Sequence, residues 1–387
     1  MNMRAAAHFI RTSGQTESPP HPPPDHRYNR RSAPLAIGID RTAPHCVHWA
    51  GPRAWPSTIR QPVRNDYGLL QALELGVRHL RVPAADLRDG VQSERLAILR
   101  DHGVKLTAQW LWSPGLKLAE DVAPLADQLD GIELQVLGYL WPSAEPLAHL
   151  HRCAASYDKP ITLSCVVPGQ NIPGKRHGRS QIGYLVTQLA ELNECLAKAN
   201  VYVDRVCCRW PAVGDEFTAD FTALPTCSHI GAFDWIYGLP TGDEIAQANG
   251  AAATLFQMRS RPGDRLLVEP YVDFDRTMDA GLGLLDRRYN PRPAFHVLRH
   301  LNTLLFCEFA EAASTITINA YGGYRQLLDG QRLLILPESG GEDVPMSTNT
   351  VSALRGMQLN KEVGLCSGSS REPAGGTIRE PSLFMQR

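Results

Sequence analysis

Seven short, mostly apolar runs recur between Gly76 and Phe274: GVRHLRVP, GVKLTAQW, GIELQVLG, PITLSCVV, VDRVCCRW, HIGAFDWIY and RLLVEP. Helix-like sequence follows each one. A strand covered on both faces reads as a nearly continuous hydrophobic run, and consecutive parallel strands need a helical crossover between them. The pattern therefore predicts a βα repeat. An earlier run, LAIGID from Leu35 to Asp40, makes eight. Eight such units closing on themselves take about 250 residues, which fits residues 34–305. The expected fold class is α/β, a (β/α)8 TIM barrel.

The connections carry their own punctuation. Tyr67 to Leu75 and Ser93 to His102 read as helices, each followed by a glycine, Gly76 or Gly103, where a left-handed C-terminal position is wanted. Ile182 to Ala199 carries apolar residues at three- and four-residue intervals, and Gly242 to Met258 reads as an Ala-rich helix. After Leu304 the sequence alternates polar and apolar residues around Asp329-Gly330, a hairpin signal. A small antiparallel β appendage is expected over 306–339, with a disordered tail over 340–387. Residues 1–33 combine Pro, His, Arg and Ser with few large apolar side chains, so a disordered Pro-rich arm is expected there. Its PPHPPP run is also compatible with a polyproline II ligand.

Composition narrows the function classes. A net charge of -1 across 387 residues offers no long-range attraction for nucleic acid or an anionic membrane. No run of about 18 apolar residues exists to cross a bilayer, and MNMRAAAHFIRTSG lacks the apolar core of a secretory signal. The nine cysteines form no CxxC pair, which suggests reduced thiols in a cytoplasmic protein. Cys207 and Cys208 are adjacent on a strand and point to opposite faces, which favours packing over redox chemistry.

In barrels of this kind the reacting groups sit at the C-terminal ends of the strands and in the loops after them. Polar and aromatic residues near those ends are Arg81 on the second strand, Gln109 and Trp110 on the third and Gln135 on the fourth. Arg209 and Trp210 follow on the sixth, Asp234 and Trp235 on the seventh, and Glu269, Tyr271, Asp273 and Asp275 on the eighth. Aromatic rings beside carboxylates suit sugars, whose apolar faces stack while their hydroxyls need hydrogen-bond partners. A small carbohydrate or an oligosaccharide is the expected ligand, with Trp110, Trp210 and Trp235 as a stacking wall.

One segment is more specific than the rest. GLGLLDRRYNPRPAFHVLRHLNTLL, from Gly281 to Leu305, resembles the closing segment of the (β/α)8 retaining glycoside hydrolases, the cellulase- and xylosidase-like clan. Gly283, Leu284, Leu285, Asp286, Asn290, Pro291, Arg292, Pro293 and Ala294 carry the resemblance. On physical grounds Asn290-Pro291 makes a turn, Pro293 opens a helix, and Phe295, Leu298, Leu301 and Leu305 form its docking stripe. The resemblance implies two carboxylates, on the fourth and seventh strands, about 5 Å apart for retaining hydrolysis. The fourth strand carries Val136-Leu137 where the resembling enzymes have Asn-Glu, and the seventh carries Asp234 in place of glutamate. Glu269, Glu133 and Asp234 are therefore the candidate catalytic carboxylates. Glu133 has an alternative as an internal ion-pair partner of an arginine such as Arg81.

Two other function classes remain open from sequence. A metal-dependent sugar isomerase or epimerase would use Glu133, His229, Glu269 and Asp273 as ligands, although no compact His and carboxylate motif supports it. His45, Cys46 and His48 are too few for a four-ligand site. A sugar-binding or scaffold barrel without catalysis is the third class. No dinucleotide, P-loop, HExxH or GxSxG motif occurs, and no cofactor or metal is expected.

Overall fold

A computed structural model describes residues 35–38, 66–138, 141–168, 180–210, 224–239, 244–258, 261–272, 283–286, 288–303 and 305–306, with seven short strands between 316 and 385. The arm over 1–33, the His45 cluster and the acidic residues Asp273 and Asp275 lie outside the described residues. So does the side-chain environment of the strands beyond 306.

The seven apolar runs are strands of one curled parallel sheet: β2 (His79–Pro83), β3 (Lys105–Leu111), β4 (Gly131–Leu137), β5 (Ile161–Pro168), β7 (Val203–Arg209), β8 (Ile230–Gly238) and β9 (Arg265–Glu269). Each pairs with the next in parallel. The short β1 (Leu35–Gly38) pairs in parallel with β2 on one side and β9 on the other.

Alternation along each strand sorts its side chains between two faces. Leu80, Val82, Leu106, Ala108, Ile132, Leu134, Val136, Leu163, Val206, Leu266 and Val268 face outward into the main apolar core. The helices cover them. Leu69, Ala72 and Leu75 supply the buried stripe at helix Asp66–Glu74, and Leu189, Leu192 and Leu196 that of helix Leu189–Lys198. Gly76 and Gly103 take φ values of 77° and 82°, the left-handed termini the sequence called for.

The closing segment folds as its residues suggest. The Asp286 carboxylate accepts from the backbone N–H of Arg288 and Asn290, fixing the turn. Helix Pro293–Thr303 starts at its proline and buries Phe295, Leu298 and Leu301.

One expectation changes. The helix expected from Ile182 begins only at Leu189, because Ser180–Ile182 forms a strand, β6, antiparallel to β5. β5 and β7 pair directly only at Thr162–Arg205 and Leu163–Val206. Beyond that point residues 180–184 fill the gap: Gly183 N–H donates to Cys165, Tyr184 N–H to Cys207, and Arg209 N–H to Tyr184, at 2.9, 2.9 and 2.8 Å.

Toward the C-terminus, Tyr324–Asp329 pairs antiparallel with Ile316–Ile318 and with Arg332–Leu336. Ser382–Met385 pairs antiparallel with both Arg332–Leu336 and Thr350–Ser352.

Candidate functional site

The concave face of the sheet is polar on one side and apolar on the other. Arg81, on β2, reaches across β3 to Glu133 on β4 and across β1 to Glu269 on β9, so these side chains share the interior. On the facing side Cys207, Ile236 and Leu267 pack together, with Ile182 against them.

Glu133 sits at the centre of the polar half and is 0% exposed. Arg81 grips it with a two-point fork, Nε to Oε2 and NH2 to Oε1, each 2.7 Å. Ser164 Oγ donates to Oε1 at 2.6 Å and Gln135 Nε2 at 3.2 Å. The Gln109 amide oxygen, turned toward the guanidinium, accepts from Arg81 Nε and NH2 at 3.1 and 3.0 Å. Burial opposes a charge on Glu133, but the Arg81 guanidinium and the donors from Arg81, Ser164 and Gln135 override it. The pKa lies below the ordinary carboxylate value, and the group is ionised at neutral pH. It has no proton to give a leaving group.

Glu269 is the last residue of β9, with 27% of its side chain exposed. The third nitrogen of Arg81, NH1, donates to its Oε1 at 3.2 Å. One guanidinium thus bridges a buried carboxylate below and an accessible one at the C-terminal rim.

Asp234 is placed elsewhere. It pairs in register with Arg265, the first residue of β9, whereas Gly238 pairs with Glu269. Four residues at ~3.3 Å each put it about 13 Å along the strand from the level of Glu269. A retaining pair needs about 5 Å. Asp234 is 1% exposed and held by Arg205 and Arg265. Burial again opposes its charge, and Arg265 and Arg205 override this and push its pKa far down.

The expected aromatic wall is not assembled at the rim. Trp110 and Trp235 alternate with the inward residues Gln109 and Asp234 and so face the helices, where both are buried. Trp235 Nε1 donates to Asp264 at 2.9 Å, and Trp210 meets its ring edge-on at 5.9 Å. Tyr271 is buried too and donates its hydroxyl to the Gly68 carbonyl. Arg209 faces inward at the end of β7, and its Nε donates to the Gly183 carbonyl at 3.2 Å. His229 lies just before β8, at the opposite end from Glu269, and its Nδ1 donates to the Val201 carbonyl. Among the described residues no group of three or more His, Cys, Asp or Glu side chains could hold a metal ion. The free cysteines described include Cys207 and Cys208, both buried with thiol pKa values raised by desolvation.

Sequence reasoning passed over two aromatics that do stand beyond strand ends. Trp112 follows β3 and meets the His149 ring at 5.2 Å, and Trp141 follows β4 and stacks on Tyr184 at 6.4 Å and 5°. Both rings are partly exposed. Their signal is a tryptophan beside a loop proline just after a strand, in Trp112-Ser113-Pro114 and Trp141-Pro142. Leu137, in the region where the resemblance implies an acid, is exposed on the same side of β4 as Glu133 and Gln135.

No family model matches the sequence, and no curated protein matches it. Solved structures do. A family 39 glycoside hydrolase from the gut symbiont Bacteroides cellulosilyticus WH2 superimposes with a TM-score of 0.51 over 92% of this chain and 81% of that one, at 10% identity. A Faecalibacterium prausnitzii β-glucuronidase gives 0.41 over 70% and 49%, at 13% identity. A xyloglucan-specific endo-β-1,4-glucanase from a metagenomic library, solved with cellotriose, gives 0.37 over 69% and 96%, at 9% identity. At 10% identity the first superposition speaks to fold alone: a curled parallel α/β sheet covered by helices, like that of the TIM-barrel glycoside hydrolases. No helix among the described residues is long and apolar enough to cross a membrane.

Proposed function

We propose that this chain is a glycoside-hydrolase-like barrel that binds a carbohydrate at its Glu269 rim and does not cleave it by a two-carboxylate mechanism. On this reading β1 closes an eight-stranded barrel, supported by its pairing with both β2 and β9, and the strands between Ile316 and Leu336 belong to the antiparallel appendage expected over 306–339. The observation that carries the functional reading is the Arg81 bridge. It locks Glu133 below the surface as a buried ion-pair anchor and leaves Glu269 as the carboxylate of the pair that meets solvent. A carboxylate at the rim accepts hydrogen bonds from sugar hydroxyls, and the partly exposed Trp112 and Trp141 beyond β3 and β4 offer apolar surface for the ring. Exposed Leu137 gives no proton donor at the end of β4.

The test pairs binding with turnover. Oligosaccharides are screened by saturation-transfer NMR and aryl glycosides by release of the aryl group, using wild type, Glu269→Gln and Glu133→Gln. Saturable sugar binding that weakens in Glu269→Gln, with no aryl release, is the expected result. Aryl release by wild type that disappears in Glu133→Gln would overturn the reading, as would failure to bind any sugar in the panel.

A further inference from the structure

A second charged cluster occupies the other end of the barrel, where the strands begin. His79 and Arg265 open β2 and β9, Lys105 opens β3, and Arg205 is the third residue of β7. Asp234 is the carboxylate among them, and both its oxygens are taken. Arg265 binds Oδ1 through Nε at 2.7 Å and Oδ2 through NH2, while Arg205 Nε also donates to Oδ1. Arg205 NH2 donates to the Phe233 carbonyl at 2.9 Å. Arg265 NH1 reaches His79 Nδ1 at 3.1 Å. A guanidinium has no acceptor, so Nδ1 accepts and the imidazole proton resides on Nε2.

The remaining groups are all donors. Among the described residues Arg205 NH1 and His79 Nε2–H have no hydrogen-bond acceptor, and the exposed Lys105 ammonium lies close enough to act on His79. Three cationic side chains, Arg205, Arg265 and Lys105, face one carboxylate. The arginine side chains keep 15% and 12% exposure, so this rim is open to small solutes. Burial, followed by Arg265, holds His79 neutral with a pKa of about 3. Arg205 and Lys105 act on the ring in the same direction as Arg265, so it stays a neutral donor through Nε2.

We infer that the start-of-strand rim is a binding site for a small inorganic oxyanion of the phosphate class, held by Arg205 NH1, His79 Nε2–H and Lys105. Multiple converging N–H donors with a charge surplus match the acceptor-only surface of such an ion. This site is separate from the Glu269 rim and does not depend on a sugar binding there.

The full-length chain is titrated with sodium phosphate, and with sodium chloride at matched ionic strength. Thermal midpoint and phosphorus NMR line width are followed. Saturable stabilisation and line broadening by phosphate beyond those of chloride are expected, with apparent affinity at least tenfold weaker in Arg205→Met. Lys105→Gln, at an exposed position the fold does not need, is expected to weaken it several-fold, so the test stands even if Arg205→Met does not fold. The His79 pKa, read from its ring proton shifts, is expected to rise in saturating phosphate, because the bound anion offsets Arg265. Equal effects of phosphate and chloride overturn the inference, and so does a phosphate affinity unchanged in Lys105→Gln and in whatever Arg205→Met protein folds.

Discussion

Replacing Glu133 by glutamine separates an anchor from a catalyst. The carboxylate accepts two bonds from Arg81, one from Ser164 and one from Gln135, at full burial. The amide keeps one acceptor oxygen but sets an N–H group against a guanidinium donor, so at least one arm of the Arg81 fork is lost. The neutral side chain also leaves Arg81, itself 2% exposed, with the 3.2 Å contact to Glu269 as its remaining charge partner at this site. Removing one member of a buried ion pair costs about 3–5 kcal/mol, a large part of the ~5–15 kcal/mol that holds a typical domain folded. With a urea m-value of roughly 2–3 kcal/mol/M, the midpoint falls by about 1–2.5 M. Arg81→Met added to Glu133→Gln removes the stranded cation, so the double variant is expected to lose less stability than the two single losses added together. Urea unfolding of the four proteins, followed by circular dichroism, measures this coupling. A loss below ~1 kcal/mol in Glu133→Gln, or strict additivity in the double variant, would refute the anchoring role, since a carboxylate held ready for proton transfer gives up little stability when replaced.

Acid should destabilise the fold in two stages. His79 has a folded pKa of about 3 against an ordinary 6.5, so below pH 6.5 the unfolded chain takes up a proton that the native state refuses. Stability falls by up to ~1.4 kcal/mol per pH unit as pH drops from 6.5 toward 3. Glu133 and Asp234, both lowered, add stability that is present above about pH 4 and lost below it. Thermal midpoints in chloride buffer should show a shallower slope between pH 6.5 and 5 for His79→Gln, and an unchanged slope would contradict the assignment. Gly183→Ala should destabilise by about 1–2 kcal/mol, because φ is 98° and a Cβ would lie 3.2 Å from both the Cys207 carbonyl and Ile236; urea unfolding reads this, and a neutral effect would mean that residues 180–184 are not wedged between β5 and β7. Trp235→Ala should cost about 3–5 kcal/mol as a core cavity, whereas Trp112→Ala should weaken sugar binding with little change in thermal midpoint. The reverse pattern would return the stacking role to Trp235.

Much of the scaffold was legible because burial on both faces leaves a direct imprint. GIELQVLG and VDRVCCRW read as strands from their apolar runs, and Gly76 and Gly103 marked helix ends where only a residue without a side chain is comfortable. The start of the helix expected over Ile182 to Ala199 is not legible locally, since Ile182, Leu185, Leu189 and Leu192 keep helical spacing, while the β5–β7 gap that draws Ser180–Ile182 into a strand is a tertiary effect. At the site, the closing segment around Asp286 and the alternative pairing of Glu133 with Arg81 were both visible. What a strand-end rule could not sort was facing. Gln109-Trp110 and Asp234-Trp235 are adjacent pairs on strands, so one member of each must point into the helical layer, and register decides how far along the barrel the other sits. The level of Asp234, opposite Arg265, follows from pairing between distant segments and has no local signal.

The most direct measurement is a crystal structure of the full chain soaked with an oligosaccharide identified by the binding screen. The expected density places a sugar at the C-terminal rim with a hydroxyl within hydrogen-bond distance of Glu269, while Arg81 still grips a solvent-free Glu133. A sugar bound away from Glu269, or a Glu133 carboxylate released from Arg81 and turned toward the glycosidic oxygen, would contradict it.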